Sequence, residues 1–209
     1  IMSTKALRIR HNLTHRRDKY RQFLGIALIA LLCISGQPSS ETVFALAAVL
    51  VVAGISIRLW ASGHIKKDQE LAQDGPYALV RHPLYVGNLT LLLGYCLASG
   101  LWWSFPVALA VVWGFYPPAI RREDAKLERL FQERWRAWSD STRALLPRFD
   151  RLDQAFGGSW SFRQSLRANG EPIIAALLLW GLWALFQQLG WTWPRQAPPP
   201  PVPTRVRLH

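Results

Sequence analysis

The chain has 209 residues, a formal net charge of +12 from 25 Lys+Arg against 13 Asp+Glu, and half of its residues hydrophobic. Only 18% are charged, where a soluble domain of this size carries roughly a quarter, and the apolar residues gather into long runs. That pattern excludes an ordinary soluble globular enzyme and predicts an all-α integral membrane protein built as one compact unit.

Basic residues crowd the opening segment, 1–21, with Lys5, Arg8, Arg10, Arg16, Arg17, Lys19 and Arg21 against Asp18. Met2 is the expected natural start, after an added Ile1. A signal peptide or a nucleic-acid arm would share this charge. Four further apolar runs downstream, and the pull of anionic lipid on basic residues, favour a cytoplasmic membrane-anchoring segment. Spans are expected near 22–36, 42–60, 84–104, 105–120 and 172–191, and a crossing needs about 20 residues, which leaves the first marginal. Gln37-Pro38-Ser39-Ser40 reads as a turn that makes the first two spans a hairpin. The turns at 37–41 and 100–104 contain no Lys or Arg, whereas 61–83 and 121–171 are rich in both. The bias puts the N-terminus and any active site on the cytoplasmic side, at the inner membrane if the source is bacterial. Cys33 and Cys96 lie within apolar runs and read as small hydrophobes. Residues 22–191 form the expected membrane-embedded domain, and the Pro-rich tail, 192–209, is expected to be disordered.

Ionisable groups concentrate in two segments that each adjoin a span. In the first, Asp74-Gly75-Pro76 signals a turn, and His82-Pro83 a helix start with proline at the first helical position. Arg81, His82 and Tyr85 would cluster beside that free helix N-terminus, which attracts carboxylates. An interfacial anchor of arginine and tyrosine is the plainer alternative. In the second, Glu123-Asp124 precedes Leu127, Leu130, Phe131, Trp135 and Trp138 at helical spacing, and Pro117-Pro118 is expected to bend or break the chain just before. Glu123 stands near the membrane edge, where an ionisable group is costly; a solvated acidic pair balancing Arg121 and Arg122 is the alternative. Residues 159–171 look like an amphipathic interfacial helix. The sequence has neither a dinucleotide-binding glycine fingerprint nor a phosphate-binding loop, and no metal spacing of Cys and His.

Gly75-Pro76-Tyr77 followed by Arg81-His82-Pro83-Leu84-Tyr85-Val86-Gly87, with Glu123-Asp124, Leu127, Phe131, Trp135, Trp138 and Leu146-Pro147 downstream, resembles the isoprenylcysteine carboxyl methyltransferase and phospholipid methyltransferase family of membrane enzymes. The likeness covers about residues 64–149. It implies S-adenosylmethionine as methyl donor in a cytoplasmic-face pocket formed by residues 61–85 and 121–149. Carried over, the donor contacts are Gln69, Glu70, Leu71, Ala72, Tyr77, His82, Pro83, Leu84, Tyr85 and Glu123.

Methyl transfer is an in-line displacement that depends on positioning and on excluding water, and Arg81, His64 and Glu123 are the candidate catalytic groups. A carboxylate or phosphate acceptor needs no base, whereas an amine would need His64 or His82. The chain departs from the pattern at Asp124, where a second glutamate is usual, at Gln132 in place of glycine, and at Trp135 and Trp138 in place of tyrosines. The family's substrate-side arginine falls on Ala119, so acceptor contacts pass to His64, Lys66, Arg121 and Arg122. The expected acceptor is a membrane-dissolved lipid or prenylated molecule, with no nucleic acid or metal partner. A sterol-reductase-like oxidoreductase and a non-catalytic membrane scaffold are the alternatives.

Overall fold

The computed structural model describes residues 23–65, 70–158, 160–166 and 170–189. The basic N-terminal segment, Lys66, Gln69 and the Pro-rich tail lie outside them. The described residues are all-α, as expected. The helices are α1 (Phe23–Ser35), α2 (Glu41–His64), α3 (Pro76–Leu79), α4 (Pro83–Ser99), α5 (Ser104–Ser141), α6 (Leu152–Ala155), α7 (Phe162–Gln164) and α8 (Glu171–Gln188), with a 3₁₀ turn at Phe149–Arg151 before α6.

Local chemistry explains most boundaries. Ser40 caps α2, its hydroxyl accepting from the Val43 amide at 3.4 Å, which ties up one of the orphan donors at the helix start. Pro83 opens α4 with His82 at the cap position, as the His-Pro pair predicts. Gly100 ends α4 in the left-handed conformation with φ 68°, the common glycine stop, so this span ends before the expected 104. The Gln37 amide bonds the Ser99 carbonyl at 2.6 Å, which packs the two uncharged turns together at the end of the bundle opposite the ionisable clusters.

Pro117-Pro118 does not break the helix. α5 runs through Pro117 and Pro118 without a break, and the one non-helical residue within it is Gln132, at φ 46° and ψ −118°. A proline pair costs at most local hydrogen bonds when its neighbours tolerate the kink, whereas φ 46° with ψ −118° matches the first central position of a type II′ turn, a conformation suited to glycine. The expected 159–171 helix is also reduced: only α7, one turn long, is α-helical between 160 and 166.

α2 and α4 pack most intimately. A Cβ on Gly54 would lie 2.7 Å from Leu91 Cγ, and one on Gly87 2.7 Å from Arg58 Cγ, so these small residues let the two backbones approach. Leu28, Leu32, Val51, Leu91, Tyr95, Leu182 and Leu185 form the buried core. Outside it, Ile34, Val49, Leu109, Trp113, Leu177 and Trp180 are exposed, an apolar outer surface of the kind that marks contact with a partner or a membrane. α2 and α8 are long and apolar enough to cross a membrane, while α1 and α4 are shorter apolar helices.

Within this apolar bundle sits a charge cluster that joins three helices. Arg58 on α2 donates to Glu171 on α8 from Nε at 3.0 Å and from Nη2 at 2.6 Å, and its Nη1 donates to Asn88 on α4. Glu171 is almost wholly buried. Fork-on-carboxylate geometry satisfies both charges at once, but a buried pair tolerates the loss of neither partner.

Two stability predictions follow from the fold. Glu171→Ala is expected to cost about 3–5 kcal/mol by stranding Arg58, while the double change Arg58→Met with Glu171→Leu costs far less; denaturation in detergent micelles reads both, and a single variant as stable as the parent contradicts it. Gln132→Gly is expected to stabilise by about 1 kcal/mol through release of backbone strain, seen as a raised thermal midpoint that Gln132→Ala does not reproduce.

Candidate functional site

The two polar segments meet. The amides of Arg81 and His82 donate to the carbonyls of Arg143 and Ala144 at 2.9 and 3.1 Å, and the Arg148 amide donates to Leu79 at 2.9 Å. This short ladder holds residues 79–82 against the chain that leaves α5, and α3 and the cap of α4 are fixed with it.

Four side chains converge there. His82 is buried, and its Nε2–H donates to Asp124 Oδ1 at 2.9 Å while Nδ1 lies 3.8 Å from Glu123 Oε2. Asp124 Oδ2 also lies 3.5 Å from Arg81 Nη1. Successive positions on a helix diverge in direction, so one imidazole meets both carboxylates through its two opposite nitrogens. Asp124 is mostly covered, whereas the Glu123 side chain is half exposed, at 49%. The Arg81 guanidinium carbon stands 5.8 Å from the centre of the Trp135 ring, within cation–π range.

Behind these charges lies an apolar wall. Leu71, Tyr77, Trp135 and Trp138 are buried in one cluster with Ala61, and Ala72, Leu84, Leu127 and Phe131 pack on it. Burial, with Glu123 and then Glu171 as negative neighbours, pushes the Tyr77 phenol well above its ordinary range, so it stays neutral at physiological pH. Three N–H groups at this wall, Trp135 Nε1, Trp138 Nε1 and Arg81 Nε, are buried without a hydrogen-bond partner. Such groups are costly to leave unpaired.

His64 forms a separate corner. Its Nδ1 is 3.4 Å from Asp74 Oδ2, with the ring buried and Asp74 partly exposed. Gly75, at φ 57°, has no room for a side chain, because a Cβ there would fall against the His64 ring.

The structure therefore gathers Leu71, Ala72, Tyr77, Arg81, His82, Leu84 and Glu123 around one region. Pro83 opens α4 beside it and is fully buried. Tyr85 turns toward α5, meeting Tyr116 edge-on at 5.3 Å and His82 at 5.6 Å. Glu70 and Arg121 are exposed, and Arg122 is half-buried. His64 Nδ1 faces Asp74 at 3.4 Å but makes no hydrogen bond, a proximity the sequence analysis did not include. Asp124 emerges as the nearest partner of Arg81 and His82, although in sequence it registers only as a departure from the expected glutamate. Arg58 had a signal of its own, since an arginine inside an apolar run requires a partner; Asn88 and Glu171 could not be chosen for it in advance.

The chain belongs to the phospholipid methyltransferase family, whose model matches residues 20–134. It is similar to the nickel-cobalt-cadmium resistance protein NccN of Alcaligenes xylosoxydans xylosoxydans, 34% identical over 64% of this chain and 65% of that one. It is equally similar to the cobalt-zinc-cadmium resistance protein CzcN of Cupriavidus metallidurans, 34% identical over 64% of each. Protein-S-isoprenylcysteine O-methyltransferase of Schizosaccharomyces pombe is 31% identical over 48% of this chain and 42% of its own. The chain thus spans less than two thirds of the length of these relatives. No solved structure matches it.

Asp124→Ala is expected to destabilise the protein by about 1–3 kcal/mol, because it strands Arg81 and the buried His82 imidazole. Glu123→Ala, at a half-exposed carboxylate, is expected to cost little. Thermal unfolding of the two variants side by side checks the order; equal losses contradict it.

Proposed function

We propose that the chain is an integral membrane methyltransferase that uses S-adenosylmethionine and acts on a lipid or prenylated acceptor dissolved in the bilayer. The observation that carries the reading is the set of unpartnered N–H donors of Trp135, Trp138 and Arg81 beside an aromatic wall and two carboxylates. The chemistry fits the donor molecule group by group. Tyr77, Trp135, Trp138 and Leu71 offer apolar and aromatic surface for an adenine. The half-exposed carboxylate of Glu123 suits a ribose diol or an ammonium, and Arg81 suits a carboxylate. When bound, the sulfonium supplies an electrophilic methyl group. This chain's residues hold and orient the reactants and exclude water, the main contributions to a displacement of this kind.

His82 is committed to Asp124 and so serves as a positioning group. His64, backed by Asp74, is the group able to take a proton where the acceptor is an amine; a phosphate or carboxylate acceptor would leave it a binding role. Five crossings, with α1, α2, α4, the first half of α5 and α8 in the bilayer, place the site on the cytoplasmic side. The uncharged turns at the opposite end and the basic segments near the site support that orientation. Residues 22–191 form the catalytic domain, flanked by the basic anchor 1–21 and the tail 192–209. The metal resistance named for two relatives gives no acceptor for this chain, and the site chemistry supports methyl transfer.

Calorimetry on the protein in detergent is expected to show saturable binding of S-adenosylmethionine, weakened at least tenfold by Arg81→Ala and by Glu123→Gln. Binding of a reduced nicotinamide alone would replace this reading with the reductase, and binding of neither with the scaffold. Incubation with isotopically labelled donor and a total lipid extract then identifies the acceptor from the labelled species.

A further inference from the structure

Between the end of α5 and the start of α8 the chain forms a strap, residues 149–166, that the proposed chemistry does not use. It is bound to the last turns of α2. Trp160 Nε1 donates to the Leu59 carbonyl at 3.1 Å, the Ser161 amide donates to the Gly63 carbonyl at 3.2 Å, and Gln164 Nε2 donates to the Ile65 carbonyl at 2.5 Å. The Ser62 and Ser165 hydroxyls meet at 2.5 Å in the interior. Phe156 stacks on Trp60 with ring centres 6.3 Å apart, and Phe162 lies 6.3 Å from Trp160. Phe156, Trp160 and Phe162 are nonetheless 84%, 47% and 55% exposed.

Large aromatic side chains left open to solvent in this way require a cover. Their depth says what it is. They surround the residues where α2, the longest apolar helix, gives way to polar chain, which is the level of the aromatic belt in a membrane protein. The charge agrees: residues 143–166 carry four arginines and two aspartates. Arg148 is engaged with Asp150, while Arg143 and Arg163 are exposed. Guanidinium groups beside interfacial aromatics are complementary to lipid phosphates.

We propose that the strap is a membrane-docking element that seats Phe156, Trp160 and Phe162 in the headgroup layer and reads anionic lipid through Arg163, together with Arg143 from the segment that leads into it. It also stands over the His64 corner, because a Cβ on Gly158 would fall against the Asp74 carboxylate. Docking therefore holds that corner at the depth of the headgroups. The inference rests on the membrane-spanning reading above, and its test keeps the two apart.

Nitroxide labels are introduced singly, by Phe156→Cys, Phe162→Cys, Trp113→Cys and Asp140→Cys, in full-length protein carrying Cys33→Ser and Cys96→Ala. The proteins are placed in vesicles of phosphatidylcholine alone or doped with phosphatidylglycerol. Collision of each label with oxygen and with a water-soluble nickel chelate reports its depth. Labels at 156 and 162 are expected to favour oxygen several-fold over the label at 140, more so with phosphatidylglycerol, and Arg143→Gln with Arg163→Gln is expected to remove that extra gain. Labels at 156 and 162 that match 140, while 113 reads as buried in lipid, overturn the docking proposal alone. If 113 also matches 140, the spanning reading falls and takes the proposal with it. Equal depths in both vesicle types overturn the recognition of lipid charge.

Discussion

The site depends on one constraint: a few backbone hydrogen bonds tie Leu79, Arg81 and His82 to the chain that leaves the long α5 helix. Each such bond contributes only about 1 kcal/mol net, but their position matters more than their sum. They bring the cap of α4, with its buried imidazole, to the side of α5 that carries Asp124. Without that register, Arg81 and His82 would be ordinary interfacial residues. With it, an aromatic wall, two carboxylates and a guanidinium face one another at one end of an apolar bundle.

The same economy governs the interior. An apolar interior offers no water to an unpaired charge, so Arg58 had to find an internal partner, and its fork closes on Glu171 and Asn88. The cluster joins α2, α4 and α8 just below the level of the strap. Tyr77 feels the charges of both Glu123 and Glu171, so this structural pair and the proposed donor site share one electrostatic environment. A chain that belongs to the phospholipid methyltransferase family thus carries its buried charges in two adjoining clusters, one suited to holding helices together and the other to holding a ligand.

Much of this was legible in the sequence where the determinants are local. Apolar run length gave the helices, the His-Pro pair the start of α4, and Gln37-Pro38-Ser39-Ser40 the turn that precedes α2. The spacing of Leu127, Phe131, Trp135 and Trp138 predicted one packed face, and all four positions reach the same cluster as Tyr77 on either side of the kink at Gln132. What escaped was long-range or strained. Nothing near His64 singles out Asp74, and nothing near Arg58 singles out Glu171. Pro117-Pro118 looked like a break because proline removes helix hydrogen bonds, yet the actual departure came at Gln132, a residue with no intrinsic preference for positive φ. Residues 159–171 read as an amphipathic helix from their mixture of aromatic and polar residues; in the fold Trp160 instead bonds the end of α2.

Amide hydrogen exchange, with and without S-adenosylmethionine, tests the central claim most directly. Donor binding is predicted to slow exchange together in peptides covering 77–85 and 143–148, the two strands of chain that form the ladder, and to leave the turns at 36–40 and 100–103 unchanged. Protection confined to one of those segments, or none in either while the donor is bound, would contradict a site assembled by their pairing.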